Sequence, residues 1–261
     1  MIDALVLAGS PNNGALKNIC RESYEALIKI GPCSMVNYVV NALKNTGQVG
    51  RIAVVGPPEV KKVISPEVHW VASGSTLMEN IRRGGDLMEQ HFLLASCDIP
   101  LLNPGAVTGF LSLCGDRSAD LYFPLVPRQA VEEKYPGAKR TYIRFKEGVF
   151  TGGNLFLVNP RAVQQCLVIG QELVDLRKNP LALARRAGIS LFVKLLLRVL
   201  TITEVEKRAS HLLGIQGRAV ICPYPEVGMD VDKPADLQMV RRIMGHGKRP
   251  PVARKPCRVP Q

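Results

Sequence analysis

The sequence predicts an α/β fold, a Rossmann-like, mostly parallel mixed sheet flanked by helices, on three observations. Short apolar runs alternate with stretches of helical spacing along most of the 261 residues, the pattern of βαβ units. One run, residues 92–96, is apolar almost throughout, as in a strand covered on both faces. A polar loop with two glycines, residues 9–14, follows the first apolar run, where a glycine lets the backbone approach a ligand.

Residues 2–7 are apolar except for Asp3 and read as the first buried strand. The loop Gly9-Ser10-Pro11-Asn12-Asn13-Gly14 offers successive N–H groups to a phosphate, although it matches neither G-x-G-x-x-G nor a Walker A sequence. Met35, Val36, Val39, Val40 and Leu43 share one face and predict a helix over 35–43. Residues 51–55 form the next strand, ended by Gly56-Pro57-Pro58, and residues 68–72 a short one. Thr76 and Glu79 have the spacing of a capping box for a helix running to about Met88.

The strand at 92–96 should stop before Pro100, which cannot donate to a sheet ladder. Asn103-Pro104 then starts a helix to residue 113, as N-cap and first helical residue. Asp98 is thereby placed at the carboxyl end of a central strand, where open α/β sheets bind ligands. An aspartate that polarises a turn would look the same.

Residues 121–126 are a fifth strand, and residues 142–145 and 149–150 flank Lys146-Glu147-Gly148 as a hairpin. Thr151-Gly152-Gly153-Asn154 leads into the strand 155–158. Paired glycines there mean close approach by a ligand or a neighbouring strand, or else a bulge. Asn159-Pro160 repeats the cap-plus-proline helix start.

Residues 161–213 are helical in pattern and basic, and are read as covering the sheet rather than lying on a membrane. Within them, residues 181–200 are expected to be helical and largely buried against the sheet or a second copy, with Lys194 and Arg198 snorkelling from one edge. Residues 219–222 are a further strand, and residues 228–234 lead into a last helix over 235–244. Residues 246–261 carry Lys248, Arg249, Arg254, Lys255 and Arg258 among four prolines and are expected to be a flexible basic tail. The plan is one domain, residues 1–245, with a helical insertion at 161–215, and the tail.

A formal net charge of +12 favours acidic partners: nucleotides, phosphorylated metabolites, nucleic acid or an anionic membrane surface. Aromatic residues are 5% of the chain, too few for a base-stacking surface, so no specific nucleic acid is expected. The seven cysteines form no C-x-x-C pair and no secretory leader precedes them, which fits a reducing cytoplasm. Cys97 has no histidine near it in sequence to activate it. No apolar run reaches membrane-spanning length, and membrane contact is not expected.

Four segments then stand in register: Leu5-Val6-Leu7-Ala8-Gly9; residues 24–31 leading to Ser34-Met35-Val36-Asn37-Tyr38-Val39-Val40; Ser96-Cys97-Asp98-Ile99-Pro100-Leu101; and Asp230-Val231-Asp232-Lys233-Pro234-Ala235-Asp236-Leu237. In this order, over residues 4–242, the chain resembles the MobA-like NTP transferases. These are nucleotidyltransferases related to the molybdenum-cofactor guanylyltransferase, within the nucleotide-diphospho-sugar transferase superfamily.

The resemblance implies that a nucleoside monophosphate passes from an NTP to a small phosphorylated or hydroxyl acceptor, and that pyrophosphate leaves. It implies a magnesium ion held by Asp98 and Asp232, both at carboxyl ends of strands, with Asp230 and Asp236 as rivals of Asp232. Asp98 and Lys17 take catalytic roles. Leu7, Ala8, Gly9, Ser10, Gly14 and Lys17, with Gly74 and Ser75, bind the nucleotide, and Thr151, Gly152, Gly153 and Asn154 the acceptor. Three departures stand out. Ser10 replaces the second glycine of the usual loop, no arginine stands within the loop, and Glu25 stands where the family carries a lysine, leaving Lys17 and then Arg21 as the nearest cations. They support a second expectation, a catalytically weakened nucleotide-binding or regulatory protein of the same fold. A homodimer is left open.

Overall fold

The computed structural model describes residues 1–176 and 188–246. The described strands are β1 (Ile2–Leu7), β2 (Lys29–Ile30), β3 (Cys33–Ser34), β4 (Val49–Gly56), β5 (His69–Ala72), β6 (Phe92–Ser96), β7 (Leu121–Pro127), β8 (Ile143–Phe145), β9 (Gly148–Gly152), β10 (Leu155–Val158) and β11 (Gly217–Ile221). The helices are α1 (Met35–Lys44), α2 (Pro58–Lys61), α3 (Leu77–Gly85), α4 (Pro104–Leu113), α5 (Arg128–Lys134), α6 (Pro160–Leu176), α7 (Ile189–Leu196), α8 (Ile202–Leu213) and α9 (Pro234–His246). Among the described residues, no helix is long and apolar enough to cross a membrane.

The sheet runs in the order β5-β4-β1-β6-β10-β7-β9-β8, with β11 on β7, while β2 and β3 form a separate hairpin. β5, β4, β1 and β6 are mutually parallel. Beyond them only β10 and β9 run against the rest. The result is the mostly parallel mixed sheet expected from the alternation of elements. β1 lies in the interior of the parallel half, and its side chains alternate between two cores. Ala4 and Val6 join the core that includes Val36, Val39, Val107 and Leu237, whereas Leu5 joins Val55, Phe92, Leu94 and Val163. Both faces of the sheet are thus covered, which is why its strands read as unbroken apolar runs.

Local chemistry sets the helix starts. Asn103 accepts from the Ala106 N–H at 3.0 Å, a cap whose loss typically costs about 1 kcal/mol. Asn159 accepts from the Arg161 N–H at 3.1 Å. On α1 the residues expected to share a face are all buried.

Several expectations need correction. Thr76 does cap α3 through the Glu79 N–H, but the Glu79 carboxylate turns to Ser75 and Arg83 instead of returning to the cap. An arginine one turn on and two nearer donors outcompete the Thr76 N–H. The full capping box is at α8, between Thr201 and Glu204. α3 ends at Gly85 rather than near Met88, since paired glycines stabilise a helix poorly.

α7 is not buried throughout. Leu191 and Leu195 pack on Phe145, Phe150 and Leu200, while Val193 and Leu196 are exposed, as are Leu197 and Val199 just past its end. Lys194 pairs with Glu204 rather than snorkelling alone. Residues 177–187, expected to be helical, and the tail from 247, expected to be flexible, lie outside the described residues, and α9 extends through His246. α5 and the hairpin of β2 and β3 are too short to leave a periodic signal.

Candidate active site at the carboxyl edge of the sheet

Parallel pairing of β1 with β6 sets Leu7 opposite Ser96. The loops that follow both strands therefore emerge side by side at one edge. Cys97 N–H donates to the Leu7 carbonyl at 3.1 Å and Ala8 N–H to the Val55 carbonyl at 2.8 Å, which seals the start of the first loop against its neighbours. Because β10 runs against β6, its first residue, Leu155, pairs with Ala95. The Thr151–Asn154 stretch is thereby brought to the same edge.

Asp98 lies two residues past the end of β6, partly buried, and accepts from the Ser96 hydroxyl. Burial above all raises its carboxyl above the ordinary range, and Asp232 adds to this, against the opposing pull of Ser96 and Arg140. The carboxylates of Asp98, Asp230 and Asp232 offer oxygens that all lie within 4.8 Å of one another. Asp98 and Asp232 therefore converge, as the motif pattern implies, and Asp230 joins them.

Asp232 is not at a strand end, however. It lies in the segment between the 3-10 turn Pro225–Gly228 and α9, well past the end of β11 at Ile221. A bond from the Val231 N–H to the Asp98 carbonyl at 2.9 Å, with Met229 and Val231 buried in the core, docks that segment on the sheet edge. Asp236 instead caps α9, accepting from the Lys233 N–H at 3.0 Å.

Cys97 is buried, and its thiol is pushed well up by that burial and then by Asp98 and Glu25. A thiol so held protonated is not a nucleophile at neutral pH.

The first loop is rigid but not closed on itself. Buried Asn12 donates to the Glu22 carbonyl at 2.9 Å, and the Glu25 N–H donates to the Ser10 carbonyl at 3.1 Å. Among the described residues, no acceptor engages the N–H groups of Gly9 and Ser10. Lys17 sits on the 3-10 turn Ala15–Asn18, which Leu16 anchors in the core, and its side chain is exposed.

Gly74 and Ser75 lie in the neighbouring loop after β5, with their N–H groups already used. Asn80 accepts from Gly74 at 2.6 Å and Glu79 from Ser75 at 2.8 Å. The Ser75 N–H bond first, and then the bond from Arg83, hold the Glu79 carboxyl down at about 2. Asn80 also backs the first loop, since a Cβ on Gly9 would lie 3.0 Å from its Nδ2.

A cavity of about 260 Å³ adjoins the carboxylates, and Thr151, Gly152, Gly153 and Asn154 line it together with Asp230, Asp232 and Lys233. Lys139 and Arg140 are also among its lining residues. The two glycines differ in role. A Cβ on Gly153 would stand 2.7 Å from Pro124 Cγ and 3.0 Å from the Val227 carbonyl, so a neighbouring strand requires this glycine. A Cβ on Gly152 would meet nothing within 4 Å.

Sequence reading missed Arg140 and Asn80. Asn80 leaves a faint signal, a polar residue among Met78, Ile81 and Gly84 on the inward side of α3. Arg140 leaves none, because its partners are 90 or more positions away.

No family model and no curated protein matches the chain. Among solved structures, a hypothetical transferase from Thermus thermophilus superposes with a TM-score of 0.80 at 38% identity, over 90% of this chain and 99% of that one. The 2-C-methyl-D-erythritol 4-phosphate cytidylyltransferase of Thermus thermophilus shares the fold at a TM-score of 0.52 and 13% identity, over 93% of this chain and 98% of that one. A CMP:2-keto-3-deoxy-manno-octonic acid synthetase, solved with CTP, shares it at 0.59 and 13%, over 94% and 99%.

Proposed function

The chain belongs to the family of the Thermus thermophilus hypothetical transferase, and we propose that it is a magnesium-dependent, MobA-like nucleotidyltransferase. It transfers a nucleoside monophosphate from an NTP to a small phosphorylated or hydroxyl acceptor. The acceptor oxygen forms a bond to the α-phosphorus as the bond to the β-phosphate oxygen breaks, and pyrophosphate leaves. The observation that carries the reading is the convergence of Asp98, Asp230 and Asp232 beside a loop with open N–H groups.

Carboxylate oxygens from three residues are a donor set suited to magnesium. Asp98, Asp230 and Asp232 would hold the ion, which supplies charge neutralisation for the triphosphate when bound. The N–H groups of Gly9 and Ser10 bind phosphate oxygens, with Lys17 as the nearest flexible cation. Leu7, Ala8, Gly14, Gly74 and Ser75 frame the nucleotide around them. Since the Gly74 and Ser75 N–H groups are engaged, these two residues act by shape. The cavity beside Gly152 takes the acceptor, and Lys139 and Lys233 on its wall suit an anionic one. The free thiols of the six described cysteines support a cytoplasmic setting.

A second reading, a nucleotide-binding protein that turns over poorly or not at all, rests on Glu25 at the place of the family's lysine. One experiment separates them: each NTP with magnesium and a panel of phosphorylated and hydroxylated acceptors, with pyrophosphate as the readout. Pyrophosphate that depends on the acceptor supports the enzyme. Nucleotide binding without pyrophosphate supports the second reading, and neither contradicts both.

A further inference from the structure

Arg140 reaches the acidic cluster from the segment between α5 and β8. Its side chain is 8% exposed, and it pairs with the carboxylate of Asp230. Its Nη2 also donates to the Asp230 carbonyl at 2.6 Å and lies 3.3 Å from Asp236 Oδ1. Asp236 meanwhile accepts from the backbone of Lys233 at 3.0 Å and of Asp232 at 3.4 Å. One guanidinium thus holds both ends of the turn that carries Asp230 and Asp232, while Val231 pins its middle to Asp98.

We infer that Arg140 is the positioning residue of this site. Its fork sets the 229–233 segment at the spacing from Asp98 at which three carboxylates share one divalent cation. The inference rests on the reading of the cluster as a metal site. Like charges this close repel, so the turn needs a partner that is both cationic and geometrically fixed. Arginine meets that need because its planar donors engage two acceptors in one orientation, whereas a lysine ammonium is a point charge on a flexible stem. Arg140 has no step in the transfer itself and acts through Asp230 and Asp236.

The positioning role and simple electrostatics give opposite signs. Removing a cation beside the cluster makes it more negative, which by charge alone tightens divalent cation binding. Removing the clamp that orders the ligands weakens it, typically by ~10–100-fold for an outer partner of a metal ligand.

The test is titration of the full chain with Mn2+, read by the electron paramagnetic resonance signal of the free ion, for the parent, Arg140→Ala, Arg140→Lys and Asp236→Asn. Circular dichroism confirms that each is folded at the temperature used. We expect both arginine variants to bind Mn2+ at least ~10-fold more weakly, with no rescue by lysine, and Asp236→Asn to lose affinity in the same direction. If Arg140→Ala does not fold, Arg140→Lys and Asp236→Asn decide the matter alone. A folded arginine variant that binds Mn2+ as tightly as the parent, or more tightly, overturns the inference and leaves the metal site standing. A parent chain that binds no Mn2+ overturns the metal reading itself.

Discussion

Asp98 shows how much one residue carries. Desolvation raises its carboxyl, so the folded protein holds that proton more tightly than the unfolded chain does. Stability is then lost as pH rises through the folded pKa, because the native state must give up the proton last. Asp98→Asn is expected to stabilise the protein at pH 7, without metal or nucleotide, by on the order of 1 kcal/mol. The gain should shrink on acidification and vanish below the unfolded carboxyl value of about 3.9. Melting curves of both chains between pH 4 and 8 check this, and an Asn variant that melts lower at pH 7 speaks against it. Lys17 is exposed above the open end of the first loop. Lys17→Ala is expected to weaken NTP binding by roughly 1–3 kcal/mol if the ammonium meets a phosphate. Isothermal titration reads the change, and unchanged affinity removes Lys17 from the site.

Asp98 was legible because a short apolar run, a proline and a cap-plus-proline pair fix its place within a dozen residues. Arg140 was not, because its role depends on Asp230 and Asp236, which only the folded chain brings to it.

At the scale of elements, β9 and β10 behave as one strand with a bend. β9 pairs with β7 up to Gly152 opposite Leu125, and β10 resumes along the same strand with Leu157 opposite Tyr122. The chain keeps β7 on one edge and exchanges β8 for β6 on the other, and Gly153 makes room for Pro124 at the bend. The sequence left ligand, strand and bulge open for this glycine pair; the packing divides the answer. Gly153→Ala is expected to cost about 1–3 kcal/mol by overpacking. Gly152→Ala should stay within about 0.5 kcal/mol, which makes it the variant with which to probe the cavity. Urea unfolding of both separates them, and equal costs would contradict the assignment. For α7, apolar content alone did not reveal which side faces the protein. Leu191→Ala, on the packed side, is expected to cost about 1–2 kcal/mol, and Leu196→Ala, 65% exposed, less than about 0.5 kcal/mol. The same unfolding curves decide this, and a Leu196 cost matching that of Leu191 would mean that the exposed side is packed too.

Across the whole molecule, strand direction does the organising. β1 and β6 deliver the first loop and Asp98 to one edge, the reversed β10 brings Thr151–Asn154 there, and the segment before α9 folds back to add Asp230 and Asp232. The parallel half was legible in its alternating runs. The hairpin turn at 146–148 announced the antiparallel pairing of β8 and β9, but the reversal of β10 was not legible, because an apolar strand looks the same in either direction. The central claim is that this edge holds an NTP through one divalent cation, and thermal melting with each of the four NTPs tests it most directly. In magnesium, at about 100 times the Kd, at least one NTP is expected to raise Tm by roughly 5–10 °C. The shift should disappear in EDTA and in folded Asp98→Asn and Asp232→Asn chains. No shift with any NTP in magnesium, or the same shift in the Asn variants as in the parent, would contradict the account.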